Sequence, residues 1–152
     1  MHYVKYLLLT LLSFNVIADS EKTDYLFKQF NDKSAQCLKL TNRQIGNFKD
    51  HYYESLSEPQ QKALLLMLSE HTLNRCSSYE ASEYLKYIIV INDKDKIQFI
   101  SKLYNKDLQS ESLKILYRSL DQNEINRLLK LDVFSTPFDV IKLSEKLNDN
   151  ED

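Results

Sequence analysis

The chain has 152 residues, with 20 Lys and Arg against 22 Asp and Glu, a formal net charge of −2, one glycine and two prolines. A slightly acidic balance without a Lys/Arg cluster excludes the basic stripe that nucleic-acid binding demands and is unlike an anionic-membrane binder. A single glycine excludes a hairpin-rich sheet and a phosphate-cradling loop, since both depend on glycine, so the chain must reverse with Asn, Asp and Ser.

The N-terminus carries Lys5 and then runs apolar from Tyr6 to Ile17, interrupted by Thr10, Ser13 and Asn15, before Ala18 and the charged stretch Asp19-Ser20-Glu21-Lys22. A basic start, a short apolar run and a small residue at the junction predict a signal peptide over residues 1–18, cleaved after Ala18. A membrane-spanning helix needs about 20 apolar residues, so stable insertion after cleavage is not expected and the product is periplasmic or secreted. Losing Lys5 and no acid leaves 19 basic against 22 acidic residues, a net charge of −3. Residues 19–147 are expected to form one helical domain, and the acidic residues 148–152 a disordered tail.

Apolar residues then recur at spacings of three and four, the period of a half-buried helix. The stripes are Leu26, Phe27, Phe30, Cys37, Leu38; Ile45, Phe48, Tyr52, Leu56; and Leu64, Leu65, Leu68, Leu73. They continue through Ile97 to Tyr104, Leu113 to Leu120, Ile125 to Leu131 and Phe138 to Leu147. Helix starts are expected at Thr41…Gln44, Ser57…Gln60, Ser77…Glu80 and Asp121…Glu124, where a polar residue is answered three positions on by Glu or Gln. Pro59 falls in a first turn, and Pro137 follows Thr136 at the favoured first helical position. Tyr84 to Ile91 is apolar nearly all round and is expected to be a central helix. The predicted fold is all-α: about eight short amphipathic helices in a bundle or a short helical-repeat array, with one disulfide.

That disulfide joins Cys37 to Cys76, because an even cysteine count in an exported chain favours pairing. An up-down-up order brings the ends of the first and third helices to one pole, where these residues fall. A weak repeat also emerges when residues 52–66 are laid on 116–130: Tyr53, Ser55 and Leu56 match Tyr117, Ser119 and Leu120, and Ser57 matches Asp121. Two equivalent four-helix halves would make a short solenoid with a groove for a partner.

Candidate chemistry is sparse. His71 and Cys76 lie about 500° of helical turn apart, well off a shared face, so no metal or other cofactor is expected. No G-x-S-x-G turn offers a nucleophile. Glu54, Glu58, Glu70, Glu80 and Glu83 leave a carboxylate-pair hydrolase open as an alternative. The candidate partner-binding residues are His51, Tyr52 and Tyr53, since tyrosine buries area while keeping a polar tip. Adjacent positions point about 100° apart on a helix, so only one of the two tyrosines can be centred on the core.

Two resemblances bear on function. Leu40-Thr41-Asn42-Arg43-Gln44 matches the L-T-x-x-Q motif of periplasmic chaperones of the Spy and CpxP type, and Leu56-Ser57-Glu58-Pro59-Gln60 nearly does. Phe27-Lys28-Gln29-Phe30 with Cys37-Leu38, then Cys76 with Tyr79, Ser82 and Leu85, resembles the two cysteine-centred segments of helical periplasmic immunity proteins directed at type VI secretion amidases. The second resemblance implies a non-enzymatic protein whose partner is another protein, such as a secreted effector, and it transfers no inhibitory residue.

Overall fold

The structure, a computed structural model, describes residues 2–46, 48–103 and 110–148. Among them are eight α-helices: α1 (His2–Leu40), α2 (His51–Ser55), α3 (Glu58–Cys76), α4 (Ser78–Val90), α5 (Lys94–Leu103), α6 (Glu111–Ser119), α7 (Gln122–Leu128) and α8 (Val140–Asn148). A 3-10 turn, Asp132–Phe134, precedes α8, and no described residue lies in a strand. No described helix is long and apolar enough to cross a membrane. The backbone of residues 2–18, the expected leader, forms the first part of α1, and residues 149–152 of the expected tail lie outside the described residues.

Within the span expected to make one domain, the chain packs as two compact units. The first takes Met1–Lys33 and Tyr79–Tyr104. Its core is Tyr84, Ile88 and Ile100, with Leu26, Phe27, Leu85 and Ile97 packed against them. The rings of Phe27 and Tyr84 lie 5.3 Å apart, and burial pushes the Tyr84 hydroxyl above its ordinary range. The Lys22 ammonium sits 4.6 Å from the centre of the Tyr87 ring, a cation–π contact. Here α4 buries Tyr84 and Ile88, while Ile89 and Val90 stay 61% and 80% exposed. It is therefore a one-faced helix and not the expected centre of the fold; Lys86 is the one charged residue between Tyr84 and Ile91, too little to mark which side faces water.

Asn92 ends α4 with φ of 54°, in the left-handed region. Its N–H donates to the Ile89 carbonyl, and that of Asp93 to the Ile88 carbonyl, so Asn92 closes a Schellman turn where glycine is usual. Asp93 then starts α5, accepting the Lys96 N–H at 3.1 Å.

The second unit takes Ser34–Ser78 and Asn105–Asp152. Its spine is α3, which buries Leu64, Leu65 and Leu68 and packs on α6, α8 and the 3-10 turn. At the start of α3 the Ser57 N–H donates to Gln60 Oε1 at 3.2 Å, the returning half of the expected capping box, and Pro59 sits in the first turn. Phe48 stacks edge-on to Tyr53 at 5.6 Å and to Phe134 at 5.0 Å, and Phe134 meets Phe138 at 5.2 Å. Cys37 and Cys76 form the expected disulfide at a Cα separation of 6.0 Å, joining the ends of α1 and α3.

Two expected helix starts move, those at Thr41 and Pro137, and the one after Ser77 stands. Thr41 does not open a helix; its hydroxyl donates back to the Leu38 carbonyl at the end of α1, and Asp50 caps α2 instead. Ile45 and Phe48 still reach the core, from non-helical backbone. Ser77 both closes α3 and stands directly before α4, which begins at Ser78 as expected, and the Ser78 hydroxyl donates back to the Arg75 carbonyl. Pro137 lies in the loop ahead of α8, whose first N–H groups are taken by Asp139: its Oδ1 accepts from Ile141 at 2.9 Å and Lys142 at 3.2 Å. At α2 and α8 an aspartate, Asp50 or Asp139, supplies the cap instead.

Candidate protein-binding site

The two segments of the sequence repeat build the same corner, and both lie in the second unit. After α2, Leu56 turns extended (φ −84°, ψ 149°) and donates its N–H to the Tyr53 carbonyl. Leu120 after α6 does the same (φ −83°, ψ 142°), donating to the Tyr117 carbonyl. The serine before each leucine ties back in the same way: Ser55 to the Tyr52 carbonyl and Ser119 to the Leu116 carbonyl, both at 2.7 Å. Each corner leads into a capped helix, but α3 has 19 residues and α7 seven, so the correspondence ends there. The expected division into two four-helix halves is not how the chain packs, since both corners belong to one core.

The corners also touch. The Asp121 N–H donates to the Tyr52 hydroxyl at 2.7 Å, and the Gln60 amide donates to the Ser119 hydroxyl at 3.2 Å. Between α2 and α7 this leaves a shallow concavity of about 420 Å³. Asp50 anchors its floor: one carboxylate oxygen caps α2, accepting from the N–H groups of Tyr52 at 3.0 Å and Tyr53 at 3.3 Å. Both of its oxygens also receive Arg127 Nη2 at 2.8 Å. Arg127 Nε donates to Glu124 at 2.7 Å, and these contacts, Glu124 first and Asp50 second, hold the guanidinium still more firmly in its charged form. Asp121 caps α7 through Asn123 and Glu124. Three carboxylates against one guanidinium give the concavity a net negative charge, with His51, Tyr52 and Ser55 completing its lining.

The three candidate binding residues separate. His51 is exposed at the concavity, and Tyr52 is half-buried with its hydroxyl on Asp121. Tyr53 is 7% exposed and packs in the core, so it is corrected from a candidate contact to a structural residue. Asp50, Asp121 and Arg127 belong to the site without having been singled out for binding. Asp121 carried a local capping signal, whereas the pairing of Asp50 with Arg127, 77 positions on, had none.

The other polar candidates do not converge. His71 is exposed, Cys76 is disulfide-bonded, and among the described residues no group of three His, Cys, Asp or Glu is arranged to hold a metal ion. Glu58 pairs with Lys62, and Glu83 with Lys86. The hydrogen bond and charge of Lys62 hold the Glu58 carboxyl below its ordinary value, the opposite of what a proton-donating acid needs. Leu40-Thr41-Asn42-Arg43-Gln44, the L-T-x-x-Q segment, begins at the last residue of α1 and runs into a turn.

Comparison with known proteins returns no match to a family model, a curated protein or a solved structure.

Proposed function

We propose that this is an exported, non-enzymatic protein that acts by binding another protein, most concretely a periplasmic immunity-type inhibitor of a toxic effector. The observation that carries this reading is the braced corner between α2 and α7. Its helix caps, Asp50 and Asp121, are tied by Arg127 and Tyr52, so the exposed His51 and the acidic floor are presented to a partner with little ordering left to lose. An open concavity of about 420 Å³ suits protruding side chains of a protein surface better than a small substrate, which enclosed pockets bury more fully. The disulfide fits an oxidising compartment.

The test is protection. The full chain and a version lacking residues 2–18 are expressed in cells whose periplasm receives the product of the adjacent gene, tested as a toxin. Protection should need the N-terminal segment, and the mass of the processed protein should begin at Asp19. A one-to-one complex should form in vitro and weaken when His51 becomes Ala. Binding of many unrelated unfolded clients would replace this reading with the chaperone one, and turnover of a substrate would replace it with the hydrolase.

A further inference from the structure

The two units are unequally held. The second hides Leu64, Leu65, Leu68, Leu128, Phe134 and Leu143 completely, while the core of the first is Tyr84, Ile88 and Ile100. The first is also the smaller share of the chain, and a small unit buries a smaller fraction of its surface. Tyr25, Tyr79, Ile89, Val90 and Phe99 stay exposed within it. Polar ties follow the same division. In the second unit Arg43, Gln60, Ser69, Arg75 and Arg127 each donate to a partner 59 or more positions away. In the first, the bonds of Gln29 to Tyr25, Lys86 to Glu83 and Ser101 to Ile97 each span one helical turn. There α1 meets α4 through ring contacts, Phe27 on Tyr84 and Lys22 on Tyr87.

The disulfide falls on the same side of this division. Cys37 lies just after Lys33, where the first unit's opening segment ends, and Cys76 lies just before Tyr79, where its second segment begins. The ring of chain that the bond closes, residues 37–76, therefore holds none of the first unit. A cross-link stabilises the part of the fold whose unfolded chain it restricts, and here that is the second unit. It is also a backstop: fraying of α1 from its N-terminus stops at Cys37. We propose that the first unit opens as a separate cooperative element while the second, with its preformed concavity, stays folded. Opening releases α4 and α5 and uncovers Tyr84, Ile88 and Ile100. Elements that reorder on binding are drawn from the low-stability end of a structure, so one molecule carries both a rigid site and a segment able to reorder.

The experiment is native-state hydrogen exchange of the oxidised full chain in increasing, sub-denaturing urea. Amides of α4 and α5 are expected to exchange through an opening of lower free energy and smaller urea slope than those of α3. Tyr84→Ala should speed exchange in α4 and α5 by at least about thirtyfold, or to the unprotected limit, as emptying a core site does. It should leave α3 within about twofold, as independent sites do. Leu65→Ala should do the reverse, and the pair of variants separates two openings from one. Equal free energies and slopes in α3, α4 and α5, or loss of protection in both units from either substitution, would overturn the proposal, because the chain would then unfold as one. Stronger protection in α4 and α5 than in α3 would overturn it as well. If a variant fails to fold, exchange in the parent chain alone decides. No partner is needed, so either result leaves the protein-binding reading to its own test.

Discussion

Arg43 and Arg75 divide five successive backbone carbonyls between them: Arg43 takes those of Val133, Thr136 and Pro137, and Arg75 those of Phe134 and Ser135. The Ser69 hydroxyl takes the next, Phe138, at 3.2 Å. This stretch drives Phe134 and Phe138 into the core, which draws its carbonyls away from water and obliges the protein to satisfy them.

Removing either guanidinium should therefore loosen the segment that holds those two rings. Arg43→Met or Arg75→Gln is expected to lower stability by about 1.5 to 3 kcal/mol, the range for hydrogen bonds to a charged donor. Arg43→Lys should recover only part, because an ammonium cannot span the three carbonyls as a planar fork does. Urea unfolding should give lower midpoints with unchanged slope.

The Cys37–Cys76 bond closes a separation of 39 residues, and in the chain-entropy model its loss should cost about 4 kcal/mol. The double serine variant, or reduction of the native chain, should show this as a fall in unfolding free energy. An unchanged midpoint on reduction would mean that the bond does not constrain the unfolded chain.

Asn92 occupies a left-handed backbone position at φ 54°. Asn92→Gly should be neutral or slightly stabilising, since glycine meets no Cβ penalty there. Asn92→Val should cost about 1 to 2 kcal/mol, the penalty for holding an ordinary L-residue in that region. Thermal melts of the two variants read the difference directly, and the shift should appear in the unit containing α4 and α5 by hydrogen exchange.

Acid should act partly through Asp93. The Lys96 backbone N–H and then its ammonium, with Oδ2 to Nζ at 3.1 Å, hold the Asp93 carboxyl below its ordinary value. A folded-state value lower than the unfolded one stabilises fully above the unfolded pKa and is lost as pH falls through the folded one. The loss therefore begins near pH 4, about the unfolded value for Asp, and deepens below it. Asp93→Asn should have a lower urea midpoint at about pH 6 and a flatter acid limb than the parent. Glu58, lowered by Lys62, contributes in the same direction.

His51 and Tyr53 should separate binding from folding. His51→Ala, at an exposed position, should leave stability within about 0.5 kcal/mol of the parent while weakening the partner complex. Tyr53→Ala should destabilise by about 3 to 5 kcal/mol, as emptying an aromatic site in the core does. Paired melting and titration curves distinguish the two.

Features set by neighbours along the chain were legible in the sequence. One glycine and a three-and-four apolar rhythm determined an all-helical fold. Two cysteines admitted one internal pair. Ser57 and Gln60 marked the start of α3, and the shortage of glycine meant that the chain had to reverse with Asn, Asp and Ser, as it does at Asn92. Adjacent Tyr52 and Tyr53 could not both be central, but which one entered the core depended on Phe48, which reaches it from non-helical backbone. Tertiary structure alone decided that α4 hides one face, Ala81, Tyr84 and Ile88, that Asp50 meets Arg127, and that Arg43 and Arg75 share one row of carbonyls. Helical periodicity and capping act over three or four residues and leave a trace in a single sequence. A contact between residues 77 or 94 positions apart is chosen by packing, and its two ends carry no common mark until the chain brings them together.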